Sequence, residues 1–319
     1  MARESTDTSM PEHEPHNELR RAELLAEGKT KQIYAIEGDA RHCIVAYKNT
    51  ITAFDDPSFT KEFATKAKYS NMTTCRVFEM LARAGIPTAY VRQLNDTEFL
   101  AERCAMIPLE VVARRFAFGS YLKRYPEYAV PEGAMGTIAP SASPHRFEQP
   151  VVEFFLKTTK GGLKDAQGEV LVEGLDAQKG EEDPFIENPH EVTWRLVHPK
   201  KQASDPEASL GRTVESGRVL GKATIAEMEK AITDALITLE TFFAQHQFKL
   251  IDFKIEFGVT GDGRVVIADV IDNDSWRLRD GQWRDVSKQS FRDGDTLSSI
   301  EDKYALVAEL LGQSRASAI

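Results

Sequence analysis

Cysteine is scarce in this chain of 319 residues, and its spacing is not that of a metal or disulfide site. The three cysteines, Cys43, Cys75 and Cys104, are far apart and odd in number, with no C-x-x-C pair among them. A disulfide framework and a zinc site are therefore not indicated. Free thiols fit a reducing compartment, so we expect the protein in the cytoplasm.

Long apolar runs and an excess of positive charge are also absent. No stretch approaches the roughly 20 apolar residues of a membrane span, and the N-terminus has no hydrophobic core of a secretory signal. The 40 Lys and Arg residues are outnumbered by 50 Asp and Glu residues, giving a net charge of -10. We expect no membrane or nucleic-acid partner, although a small basic pocket for a phosphorylated metabolite stays compatible with this charge.

Three familiar nucleotide-binding motifs are missing as well. The nearest approach to a Walker A loop, residues 217–223, is one residue short and has no Ser or Thr for magnesium. No G-x-G-x-x-G occurs, and neither does the H-R-D or the D-F-G of protein kinases, since Asp252 opens the sequence D-F-K. A P-loop enzyme, a dinucleotide fold and an ordinary protein kinase are not indicated.

What is present predicts an α+β fold with two lobes. Apolar spacing predicts two strands over 24–36 around a glycine turn, a third over 43–47, and helices over 61–84, 224–247 and 298–311, with Thr224 as an N-cap. Polar, Gly- and Pro-rich composition predicts loops over 129–150 and 158–222. The predicted parts are a flexible tail (1–22), an N-terminal lobe (23–112) and a C-terminal lobe (113–319) with insertions near 130–150, 158–182 and 195–220.

The stretch from Leu250 to Arg277 predicts a metal site. Side chains alternate along a strand, so Asp252, Lys254 and Glu256 share the face opposite an apolar one. If Asp262-Gly263 forms a two-residue turn, Glu256 lies directly opposite Asp269 and Lys254 opposite Ile271. Facing carboxylates repel unless a cation lies between them, and magnesium prefers oxygen ligands. The alternatives are two solvated acids, or a one-residue slip that turns Asp269 to the other face.

Two further segments suit anions. Gly28, Lys29 and Lys31 lie at a predicted turn, where glycine permits close backbone approach and the lysines supply charge for phosphates. Arg114 ends a strand that leads through Gly119-Ser120 into a predicted helix, whose N-terminus would favour an anion. Each segment alone could equally be solvated surface.

Together these segments resemble the phosphoribosylaminoimidazole-succinocarboxamide synthase (SAICAR synthetase) family over about residues 24 to 311. The matching blocks, in order, are GKTKQIY (28–34), ITAFD (51–55), MIPLE (106–110), RRFAFGS (114–120), FLK (155–157), DFKIEFG (252–258), ADVIDNDSWR (268–277) and KQSFR (288–292). The resemblance implies a two-lobed α+β fold. Its N-terminal, ATP-binding lobe would be like the small lobe of protein kinases, its C-terminal lobe would bind substrate and metal, and ATP would lie in the cleft between the lobes. It also implies an ATP-dependent ligase that joins carboxyaminoimidazole ribotide (CAIR) to L-aspartate.

The resemblance implies residue roles too. ATP would contact Gly28, Lys29, Lys31, Met106, Lys123 and Lys254, and magnesium would be held by Glu256 and Asp269. The ribotide would be gripped by Arg114, Ser120, Arg277, Lys288 and Arg292, and the candidate catalytic residues are Lys254, Asp252 and Asp183. The implied partners are the small molecules CAIR and L-aspartate; a homo-oligomer is compatible with the sequence, which does not settle it.

The chain departs from the family pattern at two places. Glu182 stands before Asp183-Pro184 where many relatives have His, and Ser287 stands where many have Asp. Some relatives are fused to a carboxylase, whereas this sequence, ending at Ile319, is expected to carry the ligase alone. A kinase-like phosphotransferase acting on a small molecule and a nucleotide-binding module without turnover are the rival functions. Amide formation that depends on aspartate distinguishes the ligase from both.

Overall fold

The computed structural model of the chain describes residues 19–52, 60–62, 65–130, 143–165, 167–287 and 296–313. The strands are β1 Arg21–Glu27, β2 Lys31–Ile36, β3 Asp39–Tyr47, β4 Thr50–Thr52, β5 Thr60–Glu62, β6 Tyr90–Gln93, β7 Glu98–Glu102, β8 Cys104–Met106, β9 Leu109–Phe116, β10 Arg146–Leu156, β11 Leu163–Lys164, β12 Val170–Val172, β13 Phe185–Ile186, β14 Thr193–Val197, β15 Ser209–Glu215, β16 Lys249–Ile255, β17 Phe257–Thr260, β18 Val265–Ile267 and β19 Trp276–Arg279. The α-helices are α1 Lys66–Arg83, α2 Ser120–Arg124, α3 Ser216–Leu220, α4 Ile225–Gln245 and α5 Leu297–Gln313, and residues Pro126–Tyr128 form a 3-10 turn.

Three antiparallel sheets form the framework. The N-terminal sheet has the order β1-β2-β3-β7-β6, and the larger sheet has the order β15-β14-β13-β10-β9-β16-β19. Between them in sequence, β8 leaves the first sheet and pairs with β17, which also pairs with β18. This three-stranded sheet joins the N-terminal part of the chain to the C-terminal part. The α+β class is confirmed, since strands pair antiparallel and helices pack on their faces.

Helix α4 shows why the larger sheet is two-sided. Thr224 is its N-cap, as the sequence predicted, and the structure adds a capping box between Thr224 and Glu227. Its apolar stripe packs on β9, β10 and β16 and is fully buried at Met228, Ile232, Leu236, Leu239 and Phe243. Burying each such side chain contributes about 1.5–3 kcal/mol. One face of the sheet is therefore closed by α4, and the other is left for polar chemistry.

Several predicted boundaries were wrong. The helix predicted from 61 begins at Lys66, because Thr60–Glu62 pair with Thr50–Thr52 as strands instead. Strand β10 begins at Arg146, inside the predicted loop, and reaches β9 across a bulge between Arg146 and Val151. Pairing with a neighbouring strand overrides local composition in both places.

The loop predicted over 158–222 was also wrong for residues 193–220. This polar stretch is largely regular structure, since β14 and β15 pair at the edge of the larger sheet and α3 follows. Alternating Trp194, Leu196 and Val214 are buried and hold the pair against the core. Among the described residues, no helix is both long and apolar enough to cross a membrane.

Candidate active site

The polar face of the larger sheet carries a row of charges centred on Asp252. In the strand register, Asp252 on β16 lies beside Arg114 on β9 and beside Arg277 on β19. Arg114 Nη1 and Arg277 Nη1 both donate to Asp252 Oδ2, at 2.6 and 2.5 Å. Opposite charges on neighbouring strands stabilise the ladder. The Asp252 carboxylate is buried, so its first role is to fix two guanidinium groups.

A second acid extends the row behind Arg114. Arg114 Nε donates to Glu153 Oε2 at 2.5 Å, and Arg124 of α2 donates to Glu153 Oε1. Arg114 Nη2 also reaches Ser120 Oγ at 3.3 Å. Burial opposes the charge of Arg114, yet Glu153 and Asp252 outweigh burial and raise the Arg114 pKa above its ordinary value. The structure thus brings together Arg114, Ser120 and Arg277, three of the five predicted ribotide ligands.

These arginines differ in how much they can offer a ligand. The Arg114 side chain is 3% exposed and is already held by two carboxylates, whereas Arg277 is 23% exposed. Arg277 packs directly over Gly119, where a Cβ would lie 2.5 Å from Arg277 Nη2. Gly119 also has φ +60° and ψ -128°, a region that favours glycine. Arg277 is therefore the guanidinium most open to an anion, and Gly119 leaves room for it.

The two predicted metal ligands stand in a register different from the predicted one. The β17–β18 ladder pairs Phe257 with Ile267 and Val259 with Val265, so residues 261–263 form a three-residue turn with Gly263 at φ +90°. The predicted direct opposition of Glu256 and Asp269 was wrong. Glu256 falls between β16 and β17, and its backbone oxygen accepts from Ala268 N at 3.1 Å. A G1-type turn with one extra residue is the physical reason.

Both acids nevertheless belong to one cluster of lysines and carboxylates. Lys31 of β2 forms an ion pair with Asp269, Lys157 after β10 pairs with Glu256, and Lys254 Nζ lies 2.5 Å from Glu110 Oε1. We call these six residues the lysine–carboxylate cluster. Three separate parts of the chain supply its ammonium groups, so folding alone brings them together.

The charged groups of the cluster interact electrostatically, and these interactions shift the pKa values of Lys31 and Lys254. Burial lowers the pKa of Lys31 to about 8, while the nearby Glu256 carboxylate opposes that shift. The ammonium groups of Lys157 and Lys254 lower the Lys31 pKa further. Burial also acts against charged Lys254, but Glu110, and after it Glu256 and Asp183, raise its pKa above the ordinary value.

The segment that carries Asp269 is anchored from behind. Fully buried Lys66 places Nζ 3.5 Å from Asp274 Oδ2, and Tyr304 of α5 donates a hydrogen bond to the same carboxylate. Thr74 Oγ1 donates to the Ile271 carbonyl at 3.1 Å. Burial and the Asp274 charge raise the pKa of Asp272. Helices α1 and α5 thus fix the loop between β18 and β19.

The predicted phosphate turn lies beside this cluster along β2. Gly28 N donates to the Lys31 carbonyl at 2.9 Å, and Lys48 Nζ ties the turn to Glu27 and to the Gly28 carbonyl. Lys29 is exposed, and its carbonyl accepts from Thr50 Oγ1 at 2.6 Å. A backbone hydrogen bond and the side chains of Lys48 and Thr50 therefore hold the turn.

Met106 occupies the strand that joins the sheets. It pairs with Gly258 of β17, and its side chain is 47% exposed, which is unusual for a large apolar group. A Cβ on Gly258 would lie 2.6 Å from the Cys104 Cβ, so glycine is required for β8 to approach. An exposed methionine on a closely packed connecting strand suits the flat face of a base.

Asp183 is positioned by a strained turn. It has φ +50°, and its Oδ1 accepts hydrogen bonds from Thr158 N at 2.8 Å and Thr158 Oγ1 at 3.2 Å. Its charge raises the pKa of Lys254, which places it near the lysine–carboxylate cluster. A strained backbone at such a place is typical of functional sites.

One predicted residue, Lys123, does not join these groups in the part of the chain that the structure describes. Lys123 is exposed on α2, and no contact of it with the lysine–carboxylate cluster is present among the described residues. Lys288 and Arg292, like Ala53 to Asp55 of the matching block, lie outside the described residues.

The acids present fit a magnesium ion with help from a ligand. In the part of the chain that the structure describes, no group of three or more His, Cys, Asp or Glu residues could hold a metal. Glu256 and Asp269 supply two hard oxygen donors, each neutralised here by a lysine. Magnesium commonly takes one or two carboxylates and completes its shell with phosphate and water. The donor set therefore fits magnesium bound together with a nucleotide.

Four functional candidates escaped the sequence reasoning: Glu110, Arg124, Glu153 and Lys157. The sequence could have indicated three of them. Glu110 shares a strand face with Arg114 on β9, Glu153 shares one with Val151 on β10, and Lys157 ends a matching block. Arg124 was not, because α2 spans only five residues and gives no periodic signal.

Fold and site together indicate a class: an α+β enzyme that handles phosphate groups at a lysine–carboxylate cluster. A sequence profile described as SAICAR synthetase matches residues 24–182 and 186–310. The chain belongs to the SAICAR synthetase family.

Individual relatives agree. The phosphoribosylaminoimidazole-succinocarboxamide synthase of Chloroflexus aggregans is 36% identical over 300 residues, which cover 91% of this chain and 96% of that protein. A bifunctional phosphoribosylaminoimidazole carboxylase/phosphoribosylaminoimidazole succinocarboxamide synthetase of Drosophila melanogaster is 32% identical over 90% of this chain, which spans 57% of that longer protein.

Solved structures share the fold. A type-2 SAICAR synthetase in complex with ADP superposes with a TM-score of 0.64 and 26% identity, covering 91% of this chain and 97% of the other. A type-1 SAICAR synthetase from Pyrococcus horikoshii OT3 gives a TM-score of 0.61 and 25% identity, over 88% and 97%.

Proposed function

We propose that this chain uses ATP to condense CAIR with L-aspartate, giving SAICAR, ADP and phosphate in purine biosynthesis. The observation that carries the proposal is the lysine–carboxylate cluster beside the row formed by Arg114, Asp252 and Arg277, which we call the arginine row. The chain that carries both belongs to the SAICAR synthetase family. Ammonium groups and paired acids suit a nucleotide with its metal, and guanidinium groups suit a phosphorylated, carboxylated second substrate. The free, mostly buried cysteines support the cytoplasm as its compartment.

ATP would lie between the N-terminal sheet and the polar face of the larger sheet. The N-terminal lobe would then bind ATP as the small lobe of a protein kinase does. Lys29 and Lys31 approach from the β1–β2 turn, and Lys254 and Lys157 approach from the larger sheet. Gly28 keeps the turn free of a side chain, and Met106 would face the adenine. Lys123 would have to reorient toward the phosphates to contribute.

Glu256 and Asp269 would hold magnesium. When bound, the ion would neutralise charge on the phosphoryl group that is transferred. Lys157 and Lys31, which pair with these two acids, would then be able to turn their ammonium groups to phosphate oxygens of the nucleotide. The same lysines thus keep the acids from repelling one another before the nucleotide binds.

The ribotide would bind at the arginine row. Arg277 would make the outer contact, Arg114 and Ser120 would support it from behind, and Asp252 would hold both guanidinium groups in place. Lys288 and Arg292 would add further positive charge. Bidentate guanidinium contacts favour phosphate and carboxylate over neutral groups.

The chemistry follows from the poor leaving group of a carboxylate. A carboxylate oxygen of the ribotide attacks the γ-phosphorus, ADP leaves, and an acyl phosphate results. The uncharged amine of aspartate then attacks the acyl carbon, loses a proton, and expels inorganic phosphate. Lys254, between Glu110 and Asp183, would stabilise the phosphoryl oxygens. Asp183 would orient the amine or accept its proton. Binding the substrates in one cleft removes most of the encounter entropy.

The test measures phosphate release and amide formation with ATP, magnesium and ribotide, with and without L-aspartate. The proposal expects one phosphate and one amide per ATP, both dependent on aspartate. Turnover that ends at a stable phosphorylated ribotide would instead show a phosphotransferase. ADP binding with no turnover under any of these conditions would leave a nucleotide-binding module.

A further inference from the structure

Glu153 is an acid that joins two arginines at the back of the proposed ribotide pocket. It projects from β10 to the polar face of the larger sheet, and its side chain is 3% exposed. Both of its oxygens are used: Oε2 accepts from Arg114 Nε at 2.5 Å, and Oε1 accepts from Arg124. A buried carboxylate that engages two guanidinium groups fixes both of them in orientation.

Arg124 connects this acid to the segment that follows Asp183. Its Nη1 donates to the Pro199 carbonyl, and its guanidinium lies 4.7 Å from the ring centre of Phe185 and 5.4 Å from that of Phe155. Phe185 is two residues from Asp183, and Phe155 faces it across the β10–β13 ladder. Arg124 therefore holds the strand on which the Asp183 turn rests.

On the other side of Glu153, Arg114 connects it through Asp252 to Arg277, which would contact the ribotide. Arg114 and Arg277 share Asp252 Oδ2, so a guanidinium held by Glu153 on one side sets where that carboxylate lies for Arg277. The order is Arg124, Glu153, Arg114, Asp252 and Arg277, with charges alternating. Truncating one member of such a buried row leaves its neighbours with uncompensated charge.

We propose that Glu153 is a positioning residue of the ligase, which aligns the ribotide arginines with the Asp183 turn without touching substrate. The proposal rests on the proposed function, because it names the ribotide as the ligand whose binding Glu153 supports. It deepens that function by tying two sites, the arginine row and the acidic turn, to a single carboxylate.

The chain offers a matched control on the next residue of β9. Arg115 points to the opposite face, where Nε and Nη2 meet Glu240 of α4 at 2.9 and 2.7 Å. Arg115 and Glu240 form another largely buried Arg–Glu pair, yet they face α4 and not the polar face. Glu240→Gln removes a comparable charge and reports the cost of any weakened Arg–Glu pair.

The experiment first measures ribotide and ADP binding to the wild-type chain by calorimetry, then to Glu153→Gln, Glu153→Asp and Glu240→Gln, with thermal unfolding of each. Wild-type protein that binds no ribotide would overturn the proposed function. Given wild-type binding, Glu153→Gln is expected to weaken ribotide binding by about 10- to 100-fold, in line with the effect of small misplacements at a site. ADP binding is expected to stay within about twofold, since the nucleotide contacts lie on other residues.

Glu153→Asp keeps the charge on a shorter side chain, so it is expected to recover part of the lost affinity and most of the thermal stability. If Glu153→Gln does not fold, Glu153→Asp is the test variant. Its ribotide binding is expected to weaken by about two- to 10-fold, while its ADP binding stays unchanged. Ribotide binding unchanged in the folded Glu153 variants, or weakened equally in Glu240→Gln, would overturn the positioning role while leaving the ligase function intact.

Discussion

Substituting Gly119 by alanine should displace Arg277 and weaken ribotide binding more than it weakens nucleotide binding. The new Cβ would lie 2.5 Å from Arg277 Nη2 and 2.7 Å from both Nη1 and Cζ. Real carbon atoms do not approach so closely, so the guanidinium must move by about 1 Å to restore ordinary contact. Arg277 Nη1 is 2.5 Å from Asp252 Oδ2, and such a shift would break that hydrogen bond.

The backbone adds a cost that must be separated from the displacement. Gly119 has φ +60° and ψ -128°, a conformation that costs a residue with a side chain about 1–3 kcal/mol. Gly221 has φ +59° and ψ -110°, and a Cβ there meets nothing within 4 Å. Gly221→Ala therefore carries similar backbone strain without the contact to Arg277.

The assay compares both variants in urea unfolding and in initial rates at varied ribotide and varied ATP. Both should lose about 1–3 kcal/mol of unfolding free energy. Gly119→Ala should also lose about 10-fold or more in kcat/KM for the ribotide, and Gly221→Ala less than about twofold. Equal ribotide kinetics in the two variants would refute the reasoning that Gly119 makes room for a ligand-binding Arg277.

Three further outcomes follow from the same structure. Glu256→Gln should lower magnesium-dependent turnover by about 10- to 100-fold with little change in unfolding, because an uncharged amide is a weaker magnesium ligand than a carboxylate. Wild-type rates at every magnesium concentration would contradict the metal assignment. Thr224→Ala should cost about 1 kcal/mol in urea unfolding and leave kinetics unchanged, since it removes the capping box of α4; an equal stability would mean that the cap is not formed. Gly258→Ala should lower the free energy of unfolding by about 1–3 kcal/mol and weaken ADP binding, because its Cβ would push β8, and with it Met106, away from β17. Unchanged ADP binding in calorimetry would mean that the adenine does not bind at Met106.

The sequence predicted the elements whose pattern is local and regular. The stripe of α4 and its Thr224 cap were found because a long amphipathic helix repeats its pattern many times. The alternation of Ile251, Phe253 and Ile255 correctly gave the buried face of β16. The edge strand β15 and its neighbour β14 were not predicted, because their buried positions are few and their exposed ones are strongly polar. Their place in the sheet is set by pairing, which composition does not reveal.

The sequence grouped charged residues correctly in some places but did not give their burial. Lys31 was named as a lysine at a glycine turn, and Glu256 and Asp269 were named from strand alternation; the structure brings the three into one cluster. Arg114 was named as a ribotide ligand and Asp252 as a candidate catalytic residue, whereas their burial favours a supporting role. A charged residue on a strand is buried or exposed according to which other elements cover the strand, and the sequence of the strand alone does not predict these elements.

The failed register prediction clarifies how two acids can share a cation. Directly opposed carboxylates on a continuous ladder would be held at a fixed, short separation and would repel in every state without metal. Here β16 ends at Ile255 and β17 begins at Phe257, so Glu256 sits at a break, and Asp269 lies beyond the end of β18. Neither side chain is confined by a ladder neighbour, and each reaches a different lysine. Because each acid is held by a lysine and not by a strand neighbour, this arrangement suits the proposed nucleotide-dependent metal site better than a directly opposed pair would.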